Sequence, residues 1–157
     1  MIMDSFYRFL FPSNPTGNRA SLLILSFRIL FGLLLMSHGV QKWAQFDSLY
    51  AIFPDPIGIG SAATLILAIF AEIFCSVFFI FGLLYRLVML PLIVTLGIAF
   101  FIVHNGSIAM GGELAFIYFT VFIILYITGP GKFSFDHYIY LSILYNKCDC
   151  TNKIQSK

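Results

Sequence analysis

R-I-L-F-G-L-L-L-M-S-H-G-V-Q-K, residues 28–42, is apolar enough to cross a membrane, yet it carries an arginine, a histidine and a lysine. At roughly 100° per residue, Arg28, Gly32, Leu35, His38, Gly39 and Lys42 share one narrow helical face, while Ile29, Phe31, Leu33, Leu34 and Met36 cover the remainder. One face of this helix therefore cannot look at lipid. With a rise of about 1.5 Å per residue, Arg28 and Lys42 stand roughly 21 Å apart, so the stripe runs from mid-membrane depth to one surface.

The rest of the chain has the same character. Of its 157 residues 60% are hydrophobic and 10% charged, and the mean hydropathy is +0.95. A soluble domain carries charge on about a quarter of its residues, so the composition is that of an integral membrane protein. The net charge of +2 is scattered and its basic members sit near membrane edges, so no nucleic-acid partner is expected. Cys75 lies inside an apolar run, and Cys148 and Cys150 form a C-x-C near the end; neither a disulfide framework nor a C-x-x-C redox pair is present.

Helix breakers and interface-seeking aromatics divide the chain into four expected spans, at about residues 20–41, 61–85, 87–103 and 113–128. Trp43, Phe46, Tyr50 and Phe53 followed by P-D-P-I-G-I-G predict a loop lying on the membrane surface. Arg86 marks a tight hairpin between the second and third spans, and H-N-G-S-I-A-M-G-G-E a short loop before the fourth. The fold class is all-α: a four-transmembrane-helix bundle with short interfacial helices at both termini. Residues 1–19 form the N-terminal interfacial segment, 20–131 the membrane domain and 132–157 an amphipathic, polar tail. Basic residues beside the spans (Arg8, Arg19, Arg86, Lys132, Lys147, Lys153 and Lys157 against Lys42) predict that both termini are cytoplasmic; the expected location is a bacterial cytoplasmic membrane.

An ionisable group at mid-membrane costs at least about 2.5 kcal/mol, so such groups pair or line a wet cavity. Arg28 and Glu72 lie on the first two spans at depths that a long side chain and helix tilt bring together, which predicts an Arg28–Glu72 ion pair, structural or functional. Near the outer edge His38 and Lys42 are one turn apart, His104 ends the third span and Glu113 opens the fourth. They are expected to converge in an outward polar pocket walled by Trp43, Phe46 and Phe101, or to form an ordinary interface in which His and Lys reach for headgroups. No spacing signature turns His38, His104 and Glu113 into a metal site, and no metal is expected.

Five stretches, R-I-L-F-G-L-L-L-M-S-H-G-V-Q-K-W, A-E-I-F-C-S-V-F-F-I-F-G-L-L-Y-R, A-F-F-I-V-H-N-G, G-G-E-L-A-F-I-Y and G-P-G-K-F-S-F-D, come in an order that resembles the DoxX family of small four-helix membrane proteins. The resemblance implies a four-helix bundle associated with membrane oxidoreductase systems, and carries Arg28, His38, Lys42, Glu72, Arg86, His104, Glu113 and Asp136 as its polar motif residues. The expected function is a subunit of a quinone-linked oxidoreductase, with quinone as the cofactor. His38, Glu113 and His104 are the candidate catalytic residues, and Lys42, Trp43 and Phe101 the candidate ligand contacts; a quinone needs an apolar slot, donors for its carbonyls and a proton route. The chain has no haem, iron–sulfur or flavin motif, so electrons would arrive from a soluble or membrane redox partner. The competing expectation is non-enzymatic: a scaffold for soluble redox or sulfur-handling partners using Arg86, Lys132 and Tyr138–Tyr145, or a small-solute permeation unit. Oligomeric state, a homo-oligomer included, stays open.

Overall fold

The computed structural model describes residues 17–142, so the expected interfacial segment before residue 17, and Tyr145, Cys148 and Cys150 in the tail, lie outside the described residues. Among the described residues all regular structure is helical. Helix α1 spans Asn18–Ala44, a short α2 Phe46–Leu49, α3 Ser61–Phe81, α4 Tyr85–Val103, α5 Glu113–Thr128, and residues 135–142 form α6. Three of these, α1, α3 and α4, are long and apolar enough to cross a membrane. Helix α5 is equally apolar, but its 16 residues reach about 24 Å against a hydrocarbon core of about 30 Å. The protein is thus an integral membrane protein with three to four apolar helices able to span.

Burial follows from sequence in two directions. Leu22, Leu23, Leu30 and Leu33 on α1 and Ile66, Leu67, Phe70 and Phe74 on α3 point outward, an apolar surface no water-soluble chain sustains. Inside, Phe79 stacks on Tyr85 at 5.7 Å and packs on Phe122 at 4.9 Å, with Met89 and Leu92 fully enclosed beside them. The Tyr85 hydroxyl donates to the Leu125 carbonyl at 3.0 Å, so even the core's phenol is satisfied. Phe31 and His38 of α1 meet Tyr118 of α5 edge-on, which closes the bundle.

The polar stripe of α1 does face the interior: Arg28, Gly32, Leu35 and Gly39 are all buried. Its glycines let α1 and α3 touch backbone to backbone. A Cβ on Gly39 would stand 2.7 Å from Ile73 Cγ1 and 2.9 Å from Glu72 Cβ, so only glycine fits there.

The second span ends four residues before the expected position. Gly82 turns left-handed at φ 66°, Leu84 follows at φ 47°, and a Cβ on Gly82 would meet the Arg28 guanidinium. Helix α4 consequently starts at Tyr85, which moves Arg86 from the hairpin into the first turn, over the Tyr126 ring at 5.9 Å, and Pro91 into the helix interior. Helices α3 and α4 each contain one wide i→i+5 turn, Ala71–Cys75 and Ala99–Val103. Such turns gather at functional sites in other helices, and both of these border the same cavity.

Candidate functional site

Two polar clusters occupy opposite ends of the bundle. At the end bearing Arg19 and Lys132, called here the basic end, Arg28 is 1% exposed and gives four hydrogen bonds to backbone carbonyls. Its Nε donates to Phe79 (3.1 Å), Nη2 to Ile80 (2.6 Å), and Nη1 to Pro130 (2.9 Å) and Phe133 (3.0 Å). Those acceptors exist because α3 stops at Phe81 and G-P-G stops α5, and a helix end leaves carbonyls without intrahelical partners. Asp136 completes the knot. Its carboxylate accepts from the N–H groups of Leu84 and Tyr85, both at 2.8 Å, capping α4 from 51 residues away, and it attracts Arg28 electrostatically.

The Arg28–Glu72 pair expected from the sequence is therefore not the one formed. Glu72, 5% exposed, pairs instead with Lys42, which comes from the far end of the same stripe. The physical reason is level. Gly39 packs on Glu72, five residues before the end of α1 but eleven after the start of α3, so α3 begins about 9 Å further out than α1 ends. Glu72 stands near the Lys42 turn and beyond Arg28's reach.

The Lys42–Glu72 pair lies on the wall of a cavity of about 90 Å³ at this second end, the loop end. Phe53, Pro54, Pro56 and Ile57 of the 45–60 connection line one side; Leu67, Ala68, Ile98 and Val103 line the other, with Thr64 and Thr95 as the remaining polar contacts. The connection thus folds over a cavity rather than lying flat on the surface. Asp55 holds it: the carboxylate accepts from the N–H groups of Gly58 (2.9 Å), Ile59 (3.2 Å) and Gly60 (2.7 Å) and from the Thr64 hydroxyl (3.0 Å). These donors, the Gly60 N–H foremost, keep the Asp55 carboxyl below the usual carboxylate range. The signal was in the sequence: an aspartate between prolines with glycines three and five residues on is turn chemistry.

Glu72 uses one oxygen for Lys42. Its Oε2, and the Ser76 Oγ four residues on, are buried without a hydrogen-bond partner among the described residues. The Glu72 carboxylate also acts electrostatically on the Tyr118 hydroxyl, so this one acid faces the cavity on one side and the α5 core on the other.

The other residues singled out from the sequence fall elsewhere. His38 meets Tyr118 edge-on at 6.0 Å between ring centres, and the His104 Nδ1 lies 2.7 Å from the Ala99 carbonyl of its own helix. Glu113 is exposed at the start of α5. Of the expected outer cluster, Lys42 alone lines the cavity; Trp43 (67% exposed) and Phe101 (57% exposed) look outward, Phe101 against Phe100 and Phe119, and do not wall it. Among the described residues no three His, Cys, Asp or Glu side chains form a group that could hold a metal.

Neither a curated protein nor a solved structure matches the chain. The DoxX family model matches residues 23–105, which run from the first turns of α1 through α3 and α4 and include Arg28, Lys42, Glu72 and the loop over the cavity. That match covers more than half of the chain, which therefore belongs to the DoxX family.

Proposed function

We propose that the chain is the membrane subunit of a quinone-linked oxidoreductase and that the loop-end cavity receives the quinone head group. The observation that carries this reading is a part-buried ion pair, its Glu72 almost wholly enclosed, on the wall of a mostly apolar cavity. Apolar walls suit a ring and its tail, the Lys42 ammonium donates to a ring oxygen, and the Glu72 carboxylate beside it accepts a hydrogen bond from a hydroxyl. A quinone, when bound, supplies two-electron, two-proton chemistry that no side chain of this protein provides. The cavity is smaller than the roughly 150 Å³ that holds a benzene ring. A ring therefore enters by one edge, with one oxygen at Lys42 and its remainder between the 53–57 segment and the bilayer.

Trp43, the single tryptophan, lies next to Lys42 in sequence and serves as the reporter. A short-chain quinone added to the purified protein in nanodiscs should quench its fluorescence saturably. Lys42→Met should weaken that binding by about tenfold, the size of one lost charge-assisted hydrogen bond. His38→Ala and Glu113→Gln should leave it within about twofold, a change too small for the loss of a direct contact. Absence of saturable quenching, or equal loss in all three variants, would reject the site.

The same small volume favours a second reading, in which the cavity holds a small polar solute on its way across the membrane. Solute flux into proteoliposomes that Lys42→Met abolishes, without any quinone binding, would select it.

A further inference from the structure

At the basic end, on the outside of the bundle, two apolar grooves run side by side, of about 510 and about 430 Å³. Leu25 and Ile29 of α1 with Ile80 of α3 line the first; Val77, Phe78 and Leu83 line the second. Phe81 and Phe135 border both and meet edge-to-face at 6.1 Å, forming a ridge between them. Both volumes fall within the roughly 300–1,000 Å³ of ligand-sized sites, and almost nothing polar lines either, so they suit hydrocarbon rather than a polar solute.

The rim of the first groove is basic. Lys132 lines it and spends one hydrogen bond, at 3.2 Å, on the Asn18 side chain, and exposed Arg19 follows Asn18 directly. The nearby carboxylate, Asp136, is buried and engaged with the Leu84 and Tyr85 N–H groups, so it does not neutralise that rim. Tyr138, 77% exposed, lines the same groove, and tyrosine is a residue enriched where membrane proteins meet headgroups.

We infer that this surface binds one anionic diacyl phospholipid from the leaflet at the basic end, one acyl chain on each side of the Phe81–Phe135 ridge and the phosphate at Lys132. Paired grooves at a shared ridge match two chains joined at one headgroup, and a cation at the rim selects the negative headgroup. The inference does not depend on the loop-end cavity or on its occupant.

The test is native mass spectrometry of the full chain exchanged into mixed micelles containing equal amounts of phosphatidylglycerol and phosphatidylcholine. Phosphatidylglycerol should be retained about fivefold over phosphatidylcholine, the effect of one basic residue near an anionic headgroup. Lys132→Gln, which keeps a donor for Asn18, should abolish the preference while total lipid retained stays the same. Lysophosphatidylglycerol, with one chain, should be retained about tenfold less or weaker still. Equal retention of the two diacyl lipids, or a preference unchanged in Lys132→Gln, would overturn the headgroup assignment; equal retention of the single-chain lipid would overturn the two-chain one.

Discussion

Arg28 and Glu72 are each at least nine-tenths buried among apolar helices, but the protein treats the two charges in opposite ways. Around Arg28 four carbonyls converge, the guanidinium lies over the Tyr85 ring at 5.7 Å, and a Cβ on Gly82 would collide with it; the knot has no room, and each nitrogen of Arg28 and each carboxylate oxygen of Asp136 has a partner. Around Glu72 one oxygen is paired, the other is orphaned, and a cavity opens beside the pair. A tightly packed polar cluster in which every buried polar side-chain atom has a partner offers a ligand little, and its energy goes into fixing the fold. One that leaves a buried acceptor unmet gives up roughly 1–3 kcal/mol of stability, and the capacity it withholds from the fold is available to a bound molecule. By that criterion the basic-end cluster is architecture and the loop-end cluster is the candidate site.

The comparison breaks most readily at Arg28. Arg28→Met strands four carbonyls and removes the cation that attracts Asp136, and should cost about 3–5 kcal/mol, the range for removing one partner of a buried charged network. Arg28→Lys should recover only part of it, because one ammonium with three donors cannot reach acceptors spread over α3 and the 130–133 segment. Thermal unfolding in detergent, followed by helical circular dichroism, measures both; if Arg28→Met were as stable as wild type, the assignment of this cluster to architecture would fail.

The Lys42–Glu72 pair should respond differently. Lys42→Met leaves a buried carboxylate and should cost about 2–3 kcal/mol, less than for a fully buried pair because the Lys42 side chain is 29% exposed. Converting both, Lys42→Met with Glu72→Met, should return stability to within about 1 kcal/mol of wild type, since well-packed apolar residues replace buried pairs without loss. Ligand binding should stay lost in the double variant. Stability regained without binding marks a pair kept for function; binding regained with stability would make the pair structural.

Gly39 tests whether the two helices must touch beside Glu72. Gly39→Ala inserts a methyl group 2.9 Å from Glu72 Cβ and should cost about 1–2 kcal/mol, the overpacking range, while pushing α1 away from α3 and weakening ligand binding at Lys42. Thermal unfolding and Trp43 quenching on the same sample read both effects.

How much of this was legible beforehand differs between the two clusters for a physical reason. The all-helical apolar architecture, the inward stripe of Arg28, Gly32, Leu35 and Gly39, and the family were open to reading, because hydropathy and helical period are local properties. Arg28's partners were not, because two of its four acceptors, Pro130 and Phe133, lie more than a hundred residues away on a segment that returns only in three dimensions. The Lys42–Glu72 pair is not legible for a subtler reason: nothing in the sequence tells how far α3 is shifted along α1, and α3 begins about 9 Å further out than α1 ends. The outer cluster of His38, His104 and Glu113 rested on shared depth alone, and depth does not fix the direction in which a side chain points around its helix. Phe101 shows the cost of that gap, since it has the right height and faces outward.

The smallest expected effect belongs to Asp55, which holds the loop over the cavity without touching the ion pair. Its carboxyl is held below the ordinary value of about 4 by N–H donors that exist only when the loop is folded. A group whose folded value is depressed adds stability that is complete above its unfolded value and is lost as pH falls through the folded one. The 58–60 turn should therefore be indifferent to pH from neutrality down to about 4 and loosen only below it. Hydrogen exchange of the Gly58, Ile59 and Gly60 amides, corrected for its intrinsic pH dependence, measures this directly. Asp55→Asn, which keeps an acceptor but cannot titrate, should abolish the acid step, and Asp55→Ala should expose the amides at every pH. The two ends of the bundle then separate by residue: acid should loosen Gly58–Gly60 through Asp55, whereas the four carbonyls that hold Arg28 do not titrate and acid can act on that knot through the Asp136 cap on α4.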